Sequence, residues 1–218
     1  MKCSKPVVVL SMLLPLVPVT AVSGADEADS TQRFLLTSTT FGNGATLPLS
    51  MIFTSPSQTN PKINTCTLDG STGGDQSPQL AWTGAPARTG SFVVIMYDTV
   101  ASFTHWAMYN IPATTTELPE NAGVAGSSLG VQVSNDFGDL SYDGPCPPTA
   151  YQPVVHKYVI TVYALDSMLP VLPSSGVFPP GSEALYHALI RAGTEGHILE
   201  TATIVGMYSA TAPPGPGS

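Results

Sequence analysis

Asp98, His105 and His156 are the residues of this 218-residue chain whose types and spacing could do chemistry together. Asp98 closes the apolar run Ser91–Tyr97, and His105 opens the next strand-like segment seven residues later. In a hairpin those two ends meet at one edge of a sheet. His156 stands at the start of a third strand-like run that continues through Tyr158 to Leu165. One carboxylate and two imidazoles converging on a sheet edge admit three chemistries. They could ligate a metal as a two-histidine, one-carboxylate set, although their spacing is not diagnostic. They could serve a hydrolytic nucleophile, since Gly126-Ser127-Ser128-Leu129-Gly130 matches the G-x-S-x-G pattern. Or imidazole and backbone N–H donors could hold a phosphate-like oxyanion, with Asp98 orienting a histidine. A nucleophile elbow needs a strand before the serine and a helix after it. Here the flanks read as loop and Val131-Gln132-Val133, so the match is expected to be fortuitous. Taken singly, each histidine reads as a half-buried structural residue.

The segment that must position His156 is Gly144-Pro145-Cys146-Pro147-Pro148. Its prolines fix φ at neighbouring positions and remove backbone donors, which stiffens a loop at low entropic cost. The loop also carries Cys146. An N-terminal signal peptide is expected over residues 1–25: a short basic start, an apolar run from Val7 to Val22 broken by Pro15 and Pro18, then small residues. Its removal would leave Cys66 and Cys146, an even pair suited to an oxidising compartment. A bridge would close a loop of about 80 residues, worth on the order of 4 kcal/mol in the chain-entropy model. Two buried free thiols are the alternative.

Removal of Lys2 and Lys5 with the signal leaves 5 basic residues against 15 acidic, a net charge of −10. Phosphate backbones and anionic bilayers repel such a surface, so nucleic acid is not an expected partner. Any phosphorylated ligand must be held in a local pocket. No transmembrane segment is expected in the mature form, and the protein is expected to be secreted or periplasmic.

Low charge and abundant Gly (20) and Pro (21) predict one turn-rich, mainly β domain. A flexible leader is expected at 26–32, the domain at 33–209 and a disordered tail at 210–218. Strands are predicted at Phe34–Leu36, Leu49–Phe53, Leu80–Trp82, Ser91–Asp98, Thr104–Asn110, Tyr158–Leu165 and Thr203–Tyr208, with loop from Ala113 to Tyr142. Ser182 is a suitable N-cap for a helix with an apolar stripe of Ala184, Leu185, Ala188, Leu189 and Ala192, closed by Gly193. A second short helix is expected over Gly196–Glu200. His187 should face solvent and His197 should be structural. Trp82 and Trp106 should lie in the core, with alternation setting Trp106 opposite His105.

Several segments, in order, carry a resemblance. They are Cys66-Thr67-Leu68-Asp69-Gly70 with Ser77–Trp82, Ser91-Phe92 leading to Asp98, and His105-Trp106 with Asn110-Ile111-Pro112. Next come Asn135-Asp136-Phe137-Gly138, Tyr142–Pro148, His156-Lys157-Tyr158, Tyr163-Ala164-Leu165, Gly196–Leu199 and Gly206-Met207-Tyr208. Over residues 33–209 the chain resembles the phosphatidylethanolamine-binding protein family, in particular its bacterial branch similar to Raf kinase inhibitor proteins. The resemblance implies two antiparallel sheets in a sandwich-like core with one or two C-terminal helices. It implies a small pocket for phosphate or phosphorylated head groups, formed by Asp98, His105, His156 and Tyr158, with Gly144 and Pro147 in one wall. Phe103 is the nearest candidate for the aromatic residue before the first pocket histidine. The family's Asp-x-Asp-Ala-Pro stands here as Asp98-Thr99-Val100-Ala101-Ser102, without the second aspartate and the proline. The expected function is a secreted, non-enzymatic binding module for a phosphate-like anion or phospholipid head group, needing no cofactor and no metal. The alternative is a protein–protein inhibitor of a kinase or protease, with a protein target as partner.

Overall fold

In the computed structural model, residues 33–148, 154–175 and 177–211 are described. The expected signal peptide, the 26–32 leader and all but the first two residues of the expected tail lie outside them. Two antiparallel sheets form the core. The smaller joins β1 (Leu35–Thr37), β2 (Leu80–Thr83) and β5 (Glu117–Leu118) in the order β1-β2-β5. The larger joins β3 (Ser91–Asp98), β4 (Phe103–Pro112), β6 (Val131–Gln132), β7 (His156–Leu165) and β8 (Ile198–Tyr208) in the order β6-β4-β3-β7-β8. The single α-helix among the described residues, α1 (Ser182–Thr194), covers part of the outer face of the larger sheet.

Burial explains this layering. Strand β3 is central and almost wholly buried because it is apolar on both faces. Phe92, Val94 and Met96 face the smaller sheet with Phe34, Trp82, Trp106, Ile160 and Val162. Val93 and Ile95 face the helix, whose Leu185, Leu189 and Ala192 are buried against them. The predicted helical stripe is therefore the packed face. No helix among the described residues is long and apolar enough to cross a membrane.

The structure departs from the sequence reading at five places. Leu49–Met51 is a 3-10 turn rather than a strand, because its carbonyls accept bonds from the segment Gly74–Gln76 instead of from a ladder. The expected loop 113–142 contains the two-residue strands β5 and β6. Ser182 is the first residue of α1, not its cap: Gly181 caps the helix, and the Ser182 hydroxyl donates to Asp136 Oδ1. Nor is there a second helix at Gly196–Glu200. The helix continues past Gly193, Gly196 takes the left-handed φ of +79° that ends it, and β8 begins at Ile198.

The fifth departure bears directly on His105. Strands β3 and β4 pair Met96 with Trp106 but Tyr97 with Thr104, so His105 is the extra residue of a β-bulge. A bulge breaks the alternation and re-aims a side chain. Trp106 packs in the inter-sheet core, yet the His105 ring contacts Phe103 and Tyr158 on that same inner side. The two residues do not oppose one another.

Candidate functional site

Strand register assembles the site at one corner of the larger sheet. Asp98 pairs with Phe103 across the β3–β4 hairpin and with Tyr158 across the β3–β7 ladder. His156 lies two residues before Tyr158, so both project to the same inner face. Asp98, His105 and His156 are 1%, 4% and 4% exposed, so all three predicted polar residues are buried together. With Tyr158, Pro147, Ala101, Phe103, Phe137, Cys146 and Pro148 they line a cavity of about 180 Å³.

Each polar group is fixed by its neighbours. The Nδ1 of His156 lies 2.6 Å from Asp98 Oδ2. The other carboxylate oxygen, Oδ1, accepts the backbone N–H groups of Val100 (2.8 Å) and Ala101 (3.0 Å). Asp98 thus organises the hairpin turn and the histidine at once. That turn carries Ser102 at a φ of +55°, which proline cannot adopt. The absence here of the family pattern's proline is thereby accounted for in backbone terms. His105 donates Nδ1–H to the carbonyl of Asp143 at 2.8 Å, because a carbonyl can only accept. Burial, the largest influence, pushes the His105 imidazole below its ordinary value, against the opposing pull of that bond and of Asp98 and Asp136. Its neutral form therefore presents a lone pair at Nε2. Neither ring's Nε2 has a hydrogen-bond partner among the described residues. The Tyr158 hydroxyl is buried and makes no well-formed hydrogen bond among the described residues, with the Asp98 carboxylate standing beside it. Burial, together with the Asp98 charge, pushes the Tyr158 phenol far up, so it remains a donor at every working pH.

The remaining walls are apolar and stiff. Cys66 and Cys146 are bonded, with Cα atoms 4.5 Å apart across a sequence separation of 80. The bridge ties the pocket loop to the buried segment around Cys66. Pro147 lines the cavity as expected, whereas Gly144 stands behind the wall. The Gly144 N–H is taken by Asp75 Oδ1 at 2.7 Å, and a Cβ on Gly144 would lie 2.0 Å from the carbonyl oxygen of Met51. Gly144 thus supplies close backbone approach and offers no donor to a ligand.

Phe137 is the lining residue that sequence reasoning missed as a contributor. It is 49% exposed, stacks on Phe53 and meets Phe103 edge-on, with ring centroids 5.7 and 4.6 Å apart. Its turn is held by Asn135, whose Oδ1 accepts the N–H groups of Phe137, Gly138 and Asp139. The Asn135-Asp136-Phe137-Gly138 segment was visible in the sequence, but nothing local points it at the pocket.

Two other sequence signals lie apart from the site. Ser128 is exposed in a turn that leads into β6, without the strand–serine–helix arrangement of a nucleophile elbow. His197 pairs with Asp166 on the surface, Nδ1 to Oδ1 at 3.1 Å, and His187 is exposed on α1. Among the described residues, no group of three or more His, Cys, Asp or Glu side chains is arranged to hold a metal ion.

The model of the phosphatidylethanolamine-binding protein family matches residues 37–209. A UPF0098 protein of Aquifex aeolicus is 37% identical over 155 residues, covering 68% of this chain and 80% of that protein. The crystal structure of Escherichia coli YbcL, described as a new member of the mammalian PEBP family, superposes with a TM-score of 0.60. It is 32% identical, over 81% of this chain and 98% of YbcL. A putative phosphatidylethanolamine-binding protein homologue of Chlamydia trachomatis gives a TM-score of 0.58 at 27% identity, over 82% of this chain and 99% of that one.

Proposed function

The chain belongs to the phosphatidylethanolamine-binding protein family, and we propose that it is an exported, non-enzymatic binding module. Its corner pocket would take a phosphate-like oxyanion, free or as a lipid head group. The observation that carries this reading is the buried Tyr158 hydroxyl, without a well-formed hydrogen bond among the described residues, on a small cavity that two buried histidines also line. A buried donor without a partner costs about 1–3 kcal/mol, and an oxyanion oxygen would satisfy it. The disulfide and the apolar N-terminal run support export.

Among the described residues no lysine or arginine lines the cavity, and imidazolium is the positive charge they can supply. Asp98 serves as its counter-ion through His156. An anion is held better by the protonated rings than by the neutral ones. Affinity is therefore fullest on the acid side and is lost as pH rises through the imidazole range, roughly 5 to 8. Titration calorimetry with inorganic phosphate and with phosphoethanolamine should show this fall. In His156→Ala at pH 6, affinity for both should drop at least about tenfold, the equivalent of one charge-assisted hydrogen bond. Equal binding by wild type and variant would sink the assignment of the pocket. Binding of phosphoethanolamine but not of phosphate would separate a head-group site from a general anion site.

A further inference from the structure

Between helix α1 and the segment that follows β7 lies a second cavity, of about 520 Å³. That volume falls within the roughly 300–1,000 Å³ of small-molecule sites. One wall is the segment Ser167–Pro173, and the other is the helix surface from Ala184 to Glu195. It shares no lining residue with the corner pocket.

The first wall is built in advance of any ligand. Asn110, near the end of β4, takes a left-handed φ of +55°. Its side chain accepts the Leu169 N–H at 2.8 Å and donates to the Leu169 carbonyl at 2.9 Å. The Ser167 carbonyl accepts the Ser91 hydroxyl at 2.7 Å. Leu169 and Leu172 are buried beneath the wall, while Met168 and Val171 stand on it 62% and 92% exposed. Pro170 and Pro173 carry no N–H at all.

The polar groups are few and lie on the helix. Arg191 and His187 are four residues apart on α1, hence on one face, and both line the cavity. Every ion pair among the described residues is made by a histidine, so the Arg191 guanidinium is left without a carboxylate partner. The acids at this end stand against His197 instead, Asp166 at 3.1 Å and Glu195 at 3.7 Å. With 15 Asp and Glu against 7 Lys and Arg, the chain repels anions over most of its surface. A guanidinium left over in a cavity marks a place where one can approach.

These features select a ligand class. A peptide needs donors and acceptors along its length, and this lining offers few. The prolines have no N–H, Leu169 is engaged by Asn110, and the helix bonds its own backbone. An alkyl chain needs no such partners, and it would cover the exposed faces of Met168 and Val171. We propose that this cavity binds an anionic amphiphile of the fatty-acid type, its alkyl body against the proline-flanked wall and its carboxylate on Arg191 and His187. The planar guanidinium meets a carboxylate through two parallel N–H bonds, and the imidazole supplies a further donor. This site stands apart from the anion pocket and does not depend on what that pocket holds.

Titration calorimetry of the full chain at pH 7 with hexanoate, octanoate and decanoate, each below its self-association range, tests this. Affinity should rise about three- to fourfold per added methylene. NMR amide shifts caused by decanoate should concentrate at Ser167–Val171 and Ala188–Ala192 and spare the Phe137 turn. Arg191→Gln should weaken decanoate at least about tenfold and leave decanol unchanged, since the alcohol carries no charge for it to meet. Ala188→Trp fills the cavity from the helix side and should abolish binding of both, with an unchanged thermal midpoint showing that each variant folds. Phosphate affinity should be untouched in Arg191→Gln, and decanoate affinity untouched in His156→Ala, so the two sites fail separately. Equal decanoate affinity in wild type and Arg191→Gln, or full affinity in a folded Ala188→Trp, would overturn the proposal. So would loss of decanoate binding in His156→Ala, which assigns it to the corner pocket, or an acidic hexapeptide binding as tightly as decanoate.

Discussion

Replacing both Cys66 and Cys146 by alanine is expected to lower the unfolding free energy by about 4 kcal/mol, from the loop-closure entropy of so long a ring. The bond joins a fully buried residue to a half-buried one. Cys66 is held by Asn64 Oδ1 at its N–H and by the Tyr208 hydroxyl at its carbonyl, both within hydrogen-bond distance. Its partner stands in the cavity wall. Severing the bond therefore does two things that separate measurements resolve. The unfolded chain gains freedom and exposes more surface, which urea denaturation reads as a lower midpoint with a steeper slope. The proline wall loses its covalent anchor, which calorimetry reads as weaker phosphate binding under conditions where the variant is still folded. A variant within about 1 kcal/mol of wild type would show that the unfolded state gains little from release. Unchanged affinity would show that proline stiffness and the Asp75–Gly144 bond suffice to hold the wall.

The residue types at the site were legible because they fall at strand ends. An aspartate closing an apolar run and a histidine seven residues later imply a hairpin, and the ladder does bring Asp98, Phe103 and Tyr158 to one corner. What strict alternation could not supply is the bulge at His105. Counting in twos from Trp106 sends His105 to the helix face, and only the paired strand reveals the extra residue. The same limit hid the support network. Asp75 and Asp143 are separated by most of the loop structure of the chain, and each reads alone as a solvated loop acid. Folding sets Asp75 on the Gly144 N–H and Asp143 on the Asn135 amide, behind the wall. Short strands β5 and β6 escaped for a related reason. Two-residue pairings are set by what lies beside them, since neither segment has enough residues to show a period.

The dependence of the pocket on close backbone packing gives the sharpest expected effect of a single methyl group. In Gly144→Ala the added carbon would sit 2.0 Å from the Met51 carbonyl oxygen and 2.7 Å from the Phe53 nitrogen. Both obstacles are backbone, so no side-chain rotation relieves them. Relief requires the 142–146 segment to move away from residues 51–53. That movement stretches the bond from Phe53 N–H to the Pro145 carbonyl and the bond from the Tyr142 hydroxyl to the Met51 carbonyl. Two hydrogen bonds and a forced backbone shift together imply a loss of about 3–4 kcal/mol. Pro147 would shift with the segment, so anion affinity should fall as well. Gly44→Ala is the control: its φ of +78° makes alanine costly, but open space surrounds the position. Left-handed strain alone predicts a loss of about 1–2 kcal/mol there, with the pocket untouched. Urea unfolding of the two variants side by side distinguishes the mechanisms. If Gly144→Ala proved as mild as Gly44→Ala, the wall would be able to retreat freely, and the pocket's shape could not rest on that contact.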